Sequence, residues 1–168
     1  MTTNAGIALD GAQTASRRPL EFAAWAYLLG MTIHASDHLY RGMTGDSMNA
    51  SWSDWLQDSL AGVAVLLPLA VLIFIRTGHR RSPLVAAVVG IGSALVFFSL
   101  HVLPSWGPFT DSFVDPMPGA QVNWYAWTTA ALGIAGSLFL GIAGIARLRI
   151  TKDPSSAADP GGADSKYA

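Results

Sequence analysis

The 168-residue chain is too apolar for an ordinary soluble domain, since 51% of its residues are hydrophobic and only 12% are charged. Its formal net charge of −1 gives no reason to expect nucleic acid as a partner. The chain contains no cysteine, which excludes disulfide exchange, thiolate metal sites and covalently attached c-type haem.

Four apolar segments follow one another along the chain, each close to the roughly 20 residues that cross a hydrocarbon core of about 30 Å. They cover residues 20–39, 55–75, 83–103 and 124–146. Because these segments are continuously apolar rather than alternating, they indicate helices and not barrel strands. We therefore predict an all-α integral membrane protein with a bundle of four transmembrane helices over residues 19–149. Residues 1–18 and 150–168 are predicted to be disordered tails.

The basic residues predict the orientation of this bundle. Nine of the ten lie in the tails or in the link between the second and third helices: Arg17, Arg18, Arg76, Arg80, Arg81, Arg147, Arg149, Lys152 and Lys166. Positive residues are retained on the cytoplasmic side of a membrane. The pattern predicts a multi-pass plasma-membrane protein with both termini in the cytoplasm. The loops of residues 40–54 and 104–123 then face outside, and Arg41 is the one basic residue on that side.

The outer end of the first helix carries a stripe of four polar side chains. They are His34, Asp37, His38 and Arg41. Positions i, i+3, i+4 and i+7 share one face of a helix, and a stripe of this kind is costly against lipid. It should therefore face the interior of the bundle or an aqueous cavity. Asp37 and Arg41 also have the spacing of an ion pair.

The second and third helices bring further candidate ligands to the same side. Asp58 lies one turn inside the outer end of the second helix, and His101 lies near the outer end of the third. Three imidazoles with one or two carboxylates can hold a divalent metal ion, and histidines at i and i+4 supply two ligands from one helix face. Asp37 can alternatively accept a hydrogen bond that orients an imidazole.

Small residues recur every four positions on the third and fourth helices. They are Ala86, Gly90 and Ala94 on the third, and Gly133, Ser137 and Gly141 on the fourth. Such smooth faces let helix backbones approach closely, so we expect these two helices to pack through them.

The outer loop of residues 104–123 has four prolines and no helical pattern. Loops of this length often act as lids or binding elements, although a rigid cap that fixes two helix ends is an equal alternative. We expect the loop to fold over the mouth of the bundle and to bring Asp111 near His101. The predicted metal-binding residues are thus His34, Asp37, His38, Asp58, His101 and Asp111.

The sequence leaves the cofactor open between a metal ion and haem. Zinc and copper both suit imidazole ligands. The methionines in the outer half of the first helix and in the outer loops favour copper, because thioethers bind copper(I). These methionines are Met31, Met43, Met48 and Met117. A b-type haem held by His101 and one histidine of the first helix is the alternative use of the same residues.

Two motifs give the chain a resemblance to a known group of proteins. They are His-x-x-Asp-His-x-x-Arg-Gly, which ends at Gly42, and His-x-x-Pro-x-Trp-Gly-x-x-x-Asp-Ser-Phe, which begins at His101. With these motifs the chain resembles a family of small four-helix membrane proteins found in actinobacteria. The resemblance covers the membrane region and implies the helical fold, without implying an activity.

Three functions of different classes fit this sequence. The first is a membrane protein whose outer cluster of histidine and aspartate binds a metal ion. The second is an accessory or scaffold subunit without a cofactor, which binds another membrane protein or a second copy of itself. The third is a metal-dependent hydrolase at the outer leaflet, so the sequence leaves open whether the chain is an enzyme.

Overall fold

The computed structural model describes residues 4–44, 52–107, 110–116 and 122–152, whose regular structure is entirely helical. The helices are α1 (Asn4–Thr44), α2 (Trp52–Arg76), α3 (Ser82–His101) and α4 (Trp124–Lys152). Each corresponds to one predicted apolar segment. The prediction of an all-α protein with four helices is therefore confirmed.

The first helix is longer than the sequence analysis predicted. It begins at Asn4, so that its backbone includes most of residues 1–18, which were predicted to be a disordered tail. Alanine recurs four times between Asn4 and Ser16, and alanine has the highest helix propensity of any residue. The side chains of residues 4–16 lie outside the described part of the chain, and the predicted domain boundaries stay predictions.

The third and fourth helices end where the sequence contains helix-breaking residues. α3 ends at His101, and the residue before Pro104 is disfavoured in helical conformation. α4 continues six residues beyond the predicted end, to Lys152, because the next proline is Pro154. Residues 153–168 lie outside the described part of the chain.

Among the described residues, only α3 and α4 are long and apolar enough to cross a membrane by length and composition. In α2, the side chains that the structure describes without interruption form a shorter apolar run, Gly62–Arg76. In α1, the polar stripe from His34 to Arg41 interrupts the apolar run. Two helices are thus compatible with membrane association, while the four-span bundle and its orientation stay predictions.

Close backbone packing holds the helices together. α4 lies between α1 and α3, and α2 packs mainly against α1. A Cβ atom added to Gly90 would lie 2.7 Å from the carbonyl oxygen of Ser137, and one added to Gly136 would lie 2.8 Å from the carbonyl oxygen of Ala26. Such distances leave no room for a side chain, so glycine lets both helix pairs pack backbone against backbone.

The two ends of the bundle differ in chemistry. At one end, the guanidinium of Arg17 lies against Gly78, in the turn between α2 and α3. Gly78 has φ of 70°, a left-handed conformation that glycine adopts without steric cost. The opposite end is formed by the last part of α1, the end of α3 and the start of α4. This second end contains His34, His38 and His101.

Candidate metal centre

Three imidazoles meet at the histidine end of the bundle. His34 and His38 lie one turn apart on α1, and His101 is the last residue of α3. One ligand nitrogen from each lies within 4.8 Å of the other two. His34 and His101 are buried, each with 3% of its surface exposed, and His38 is partly exposed. The structure therefore brings together three histidines that lie 67 positions apart at most in the sequence, and this group can hold a metal ion.

The separations within this cluster are close to those of a tetrahedral metal site. The Nε2 atoms of His34 and His38 are 3.1 Å apart. Two nitrogen ligands of tetrahedral zinc, each about 2.0–2.1 Å from the ion, are themselves about 3.3 Å apart. The nitrogen of His101 lies within 4.8 Å of the other two, so it needs to move inward by at most about 1.5 Å to reach this separation. Rotation of the side chain about its own bonds is sufficient for such a shift.

The hydrogen bond of His101 shows which of its nitrogens is available to a metal. Nδ1 of His101 lies 3.0 Å from the main-chain carbonyl oxygen of Asp111. A carbonyl oxygen only accepts hydrogen bonds, so Nδ1 carries the proton and donates it. The lone pair is then on Nε2. Metal-binding histidines commonly have their second ring nitrogen bonded to a carbonyl in this way.

A threonine that the sequence analysis did not single out contacts His34. Nδ1 of His34 lies 3.3 Å from the hydroxyl oxygen of Thr129 on α4. Both groups are buried, with none of the Thr129 surface exposed. The sequence contains no signal for this contact, because Thr129 is one of several small residues on α4 and only the rotation of that helix selects it.

Arg41 bonds two of the carboxylates at this end, those of Asp37 and Asp111. Its Nε donates to Asp37 Oδ2 at 2.9 Å, and its two terminal nitrogens donate to the two carboxylate oxygens of Asp111, one of them at 2.9 Å. Asp37 is completely buried, and its Oδ1 has no hydrogen-bond partner among the described residues. Asp111 Oδ2 lies 3.9 Å from His38 Nε2. Asp111 thus lies next to the histidines, and Arg41 joins it to the buried Asp37.

The charge of Asp111 depends on this pairing. Burial by itself raises the pKa of the Asp111 carboxyl, but hydrogen bonds from Arg41 and its positive charge lower it further than burial raises it. The net pKa lies below the usual value of an aspartate. Asp111 is therefore ionised at neutral pH and bound to Arg41 through two parallel hydrogen bonds, the strong form of an arginine–carboxylate pair.

The start of the outer loop folds back onto the end of α3. Phe113 donates its backbone N–H to the carbonyl oxygen of His101 at 2.8 Å, and the Ser112 hydroxyl donates to the carbonyl oxygen of Leu103 at 2.7 Å. The Phe113 ring packs against the His101 ring with centroids 4.9 Å apart. These bonds place Asp111 beside His101, as the sequence led us to expect, and they close one side of the histidine cluster.

Two further predictions concern Asp58 and haem. The side chain of Asp58 lies outside the described residues, so its part in the site stays a prediction. The haem alternative receives no support from the geometry. The ring centroids of His34 and His101 are only 4.7 Å apart, and Phe97 packs against both rings. His34 and His101 are thus packed against each other and against Phe97, and not separated as two axial ligands of one haem iron are.

Comparison with known proteins gives no match. No protein-family model, curated protein or solved structure is significantly similar to this chain. The resemblance to small actinobacterial membrane proteins stays a prediction.

Proposed function

We propose that this chain is a multi-pass membrane protein that binds one transition-metal ion at its outer face. The ligands are the imidazoles of His34, His38 and His101. The observation that carries the proposal is their convergence, with one nitrogen from each within 4.8 Å of the others. Three imidazole nitrogens are a ligand set that suits zinc and copper, so we propose one of these two metals.

The surroundings of the three histidines also support metal binding. The ionised carboxylate of Asp111, which is paired with Arg41, lies 3.9 Å from His38 Nε2 and 3.7 Å from His101 Nδ1. A negative charge next to three nitrogen lone pairs favours a cation. Two of the imidazoles are held by hydrogen bonds to their other ring nitrogens, at Thr129 and at Asp111. Such outer contacts orient metal ligands and raise affinity.

The outer surface of the helices supports a position in the membrane. Large apolar side chains point outward from every helix and are at least 60% exposed: Phe22, Leu29, Leu66, Val88, Leu95 and Ile142. A soluble protein that displayed an apolar surface of this kind would be expected to associate through it. Lipid chains cover such a surface instead. We propose four spans in the plasma membrane, with both termini in the cytoplasm and the histidines near the outer face.

The orientation can be tested with single cysteines, because the natural chain contains none. We expect a membrane-impermeant maleimide to label Ser47→Cys and Val114→Cys in intact cells. Thr77→Cys, in the exposed turn between α2 and α3, should react only after the membrane is disrupted. Labelling of all three variants from one side would contradict the four-span proposal, and the reverse pattern would invert the orientation.

Metal binding is tested on the full chain, purified in detergent without a metal-binding tag. We expect elemental analysis to find about one zinc or copper ion per chain, or zinc to be taken up to that ratio when it is added to metal-free protein. Protein that contains no metal and takes up neither ion would overturn the proposal. The accessory-subunit alternative would then explain the buried polar cluster as an internal hydrogen-bond network.

A further inference from the structure

We propose that Thr129 is a positioning residue that fixes the tautomer of His34, so that Nε2 of His34 is the atom that binds the metal. The inference rests on the proposed metal site, but the tautomer of His34 is already a property of the metal-free protein. It is drawn from a chain of hydrogen bonds that runs from α4 to α1 and ends in the histidine cluster.

The chain of hydrogen bonds begins at the backbone of α4. The Thr129 hydroxyl donates to the carbonyl oxygen of Ala126 at 3.0 Å. A hydroxyl has only one proton, so its oxygen can take part in another hydrogen bond only as an acceptor. The neighbour of this oxygen is Nδ1 of His34, at 3.3 Å. Nδ1 therefore carries the proton of the imidazole, and Nε2 carries the lone pair.

Burial makes this assignment firm. Thr129 has no exposed surface and His34 has 3%. No bulk water reaches the pair to offer either nitrogen another partner. In the opposite tautomer Nδ1 carries a lone pair, so Thr129 would have to give up its bond to Ala126 and donate to Nδ1 instead. If Thr129 kept its bond to Ala126, the buried Nδ1 would be left without a hydrogen bond, at a cost of about 1–3 kcal/mol. The packing of α1 against α4 keeps the two groups together.

The result is a defined position for the metal. The lone pair on Nε2 of His34 faces Nε2 of His38 at 3.1 Å. In the metal-free protein His38 donates its Nε2 proton to this lone pair. When a metal ion binds between the two nitrogens, that proton leaves Nε2 and His38 takes the Nδ1–H form. His34 keeps the same tautomer in both states, so its ligand nitrogen needs no rearrangement before the metal binds.

The test compares Thr129→Val, which keeps the shape of the side chain but removes the hydroxyl, with Thr129→Ser, which keeps the hydroxyl. Nitrogen-15 NMR of the imidazoles in the metal-free protein reports the His34 tautomer. Competition between the protein and a chromophoric chelator for Zn²⁺, at one fixed pH, reports the affinity. Circular dichroism checks that both variants keep the helical content of the wild type.

We expect the Nδ1–H form of His34 in the wild type and in Thr129→Ser, and loss of that single form in Thr129→Val. Zinc affinity should fall by about 10- to 100-fold in Thr129→Val and stay near the wild-type value in Thr129→Ser. An Nε2–H tautomer in the wild type, or equal affinity in both variants, would overturn the role of Thr129. A wild type that has the Nδ1–H form but binds neither zinc nor copper would contradict the proposed function and not this hydrogen-bond chain.

Discussion

His101→Ala is expected to remove the bound metal from the protein while leaving the helices intact. His101 supplies the only imidazole from α3, and the two remaining histidines lie on one face of α1. Loss of a residue that hydrogen-bonds a metal ligand typically lowers metal affinity by about 10- to 100-fold. Loss of the ligand itself should lower the affinity further. We therefore expect no stoichiometric zinc or copper in the purified variant.

The matched control for this experiment is His79→Ala. His79 is exposed in the turn at the opposite end of the bundle, where its ring accepts a hydrogen bond from the backbone N–H of Arg81. It is the one histidine of the four in the chain that lies outside the cluster. Equal loss of metal from both variants would mean that surface histidines bind the ion adventitiously. Retention of metal in His101→Ala would exclude His101 as a ligand.

The histidine cluster is the part of the site that the sequence predicted best. His34 and His38 share a helix face by their spacing alone, and the cost of a polar stripe in lipid indicates that this face turns inward. His101 was predicted to lie at the same side because it stands two residues before the end of the third apolar segment. The position of each histidine along its helix axis follows from the sequence, because a helix advances by a fixed 1.5 Å per residue.

The partners of the histidines were predicted less well, for a physical reason. The spacing of Asp37 and Arg41 indicated an ion pair, and the structure contains it at 2.9 Å. The second pair, between Arg41 and Asp111, joins α1 to an irregular loop, whose path no periodicity defines. Thr129 could be found only from the rotation of α4 relative to α1, which depends on tertiary packing. Its uncharged side chain carries no sequence signal of its own.

Arg41 connects the metal centre to the outer loop. Its bonds to Asp37 and Asp111 fix the end of α1 to the segment that follows α3. Asp111 in turn bonds His101 through its main chain. The loop is thus held by the same residues that surround the histidines, and a rigid cap describes residues 110–113 better than a mobile lid does. This cap covers the cluster on the side of His101. Among the three histidines, His38 is the one that stays partly exposed.

The second large effect is expected at the contact between α3 and α4. A Cβ atom added to Gly90 would meet backbone atoms of Gly141 and would lie 2.7 Å from the carbonyl oxygen of Ser137. Backbone cannot move aside as a flexible side chain can, so Gly90→Ala forces the two helices apart. Overpacking of this kind typically costs about 1–3 kcal/mol of folding stability. We expect a lower thermal unfolding midpoint for this variant in detergent.

Gly92→Ala is the control, because it lies two residues away on α3 and an added Cβ meets no atom within 4 Å. Both variants exchange the same glycine for the same alanine, so the helix propensity of alanine, worth up to about 1 kcal/mol, favours both equally. Only the contact with α4 differs. Gly92→Ala should therefore unfold at or above the wild-type midpoint, and Gly90→Ala below it. Equal midpoints would show that α3 and α4 do not pack as closely as the backbone distances require.

Gly90 lies 11 residues before His101, about 16 Å along the helix. A folded Gly90→Ala protein should consequently still bind zinc, which separates the packing of the bundle from the chemistry of its histidines.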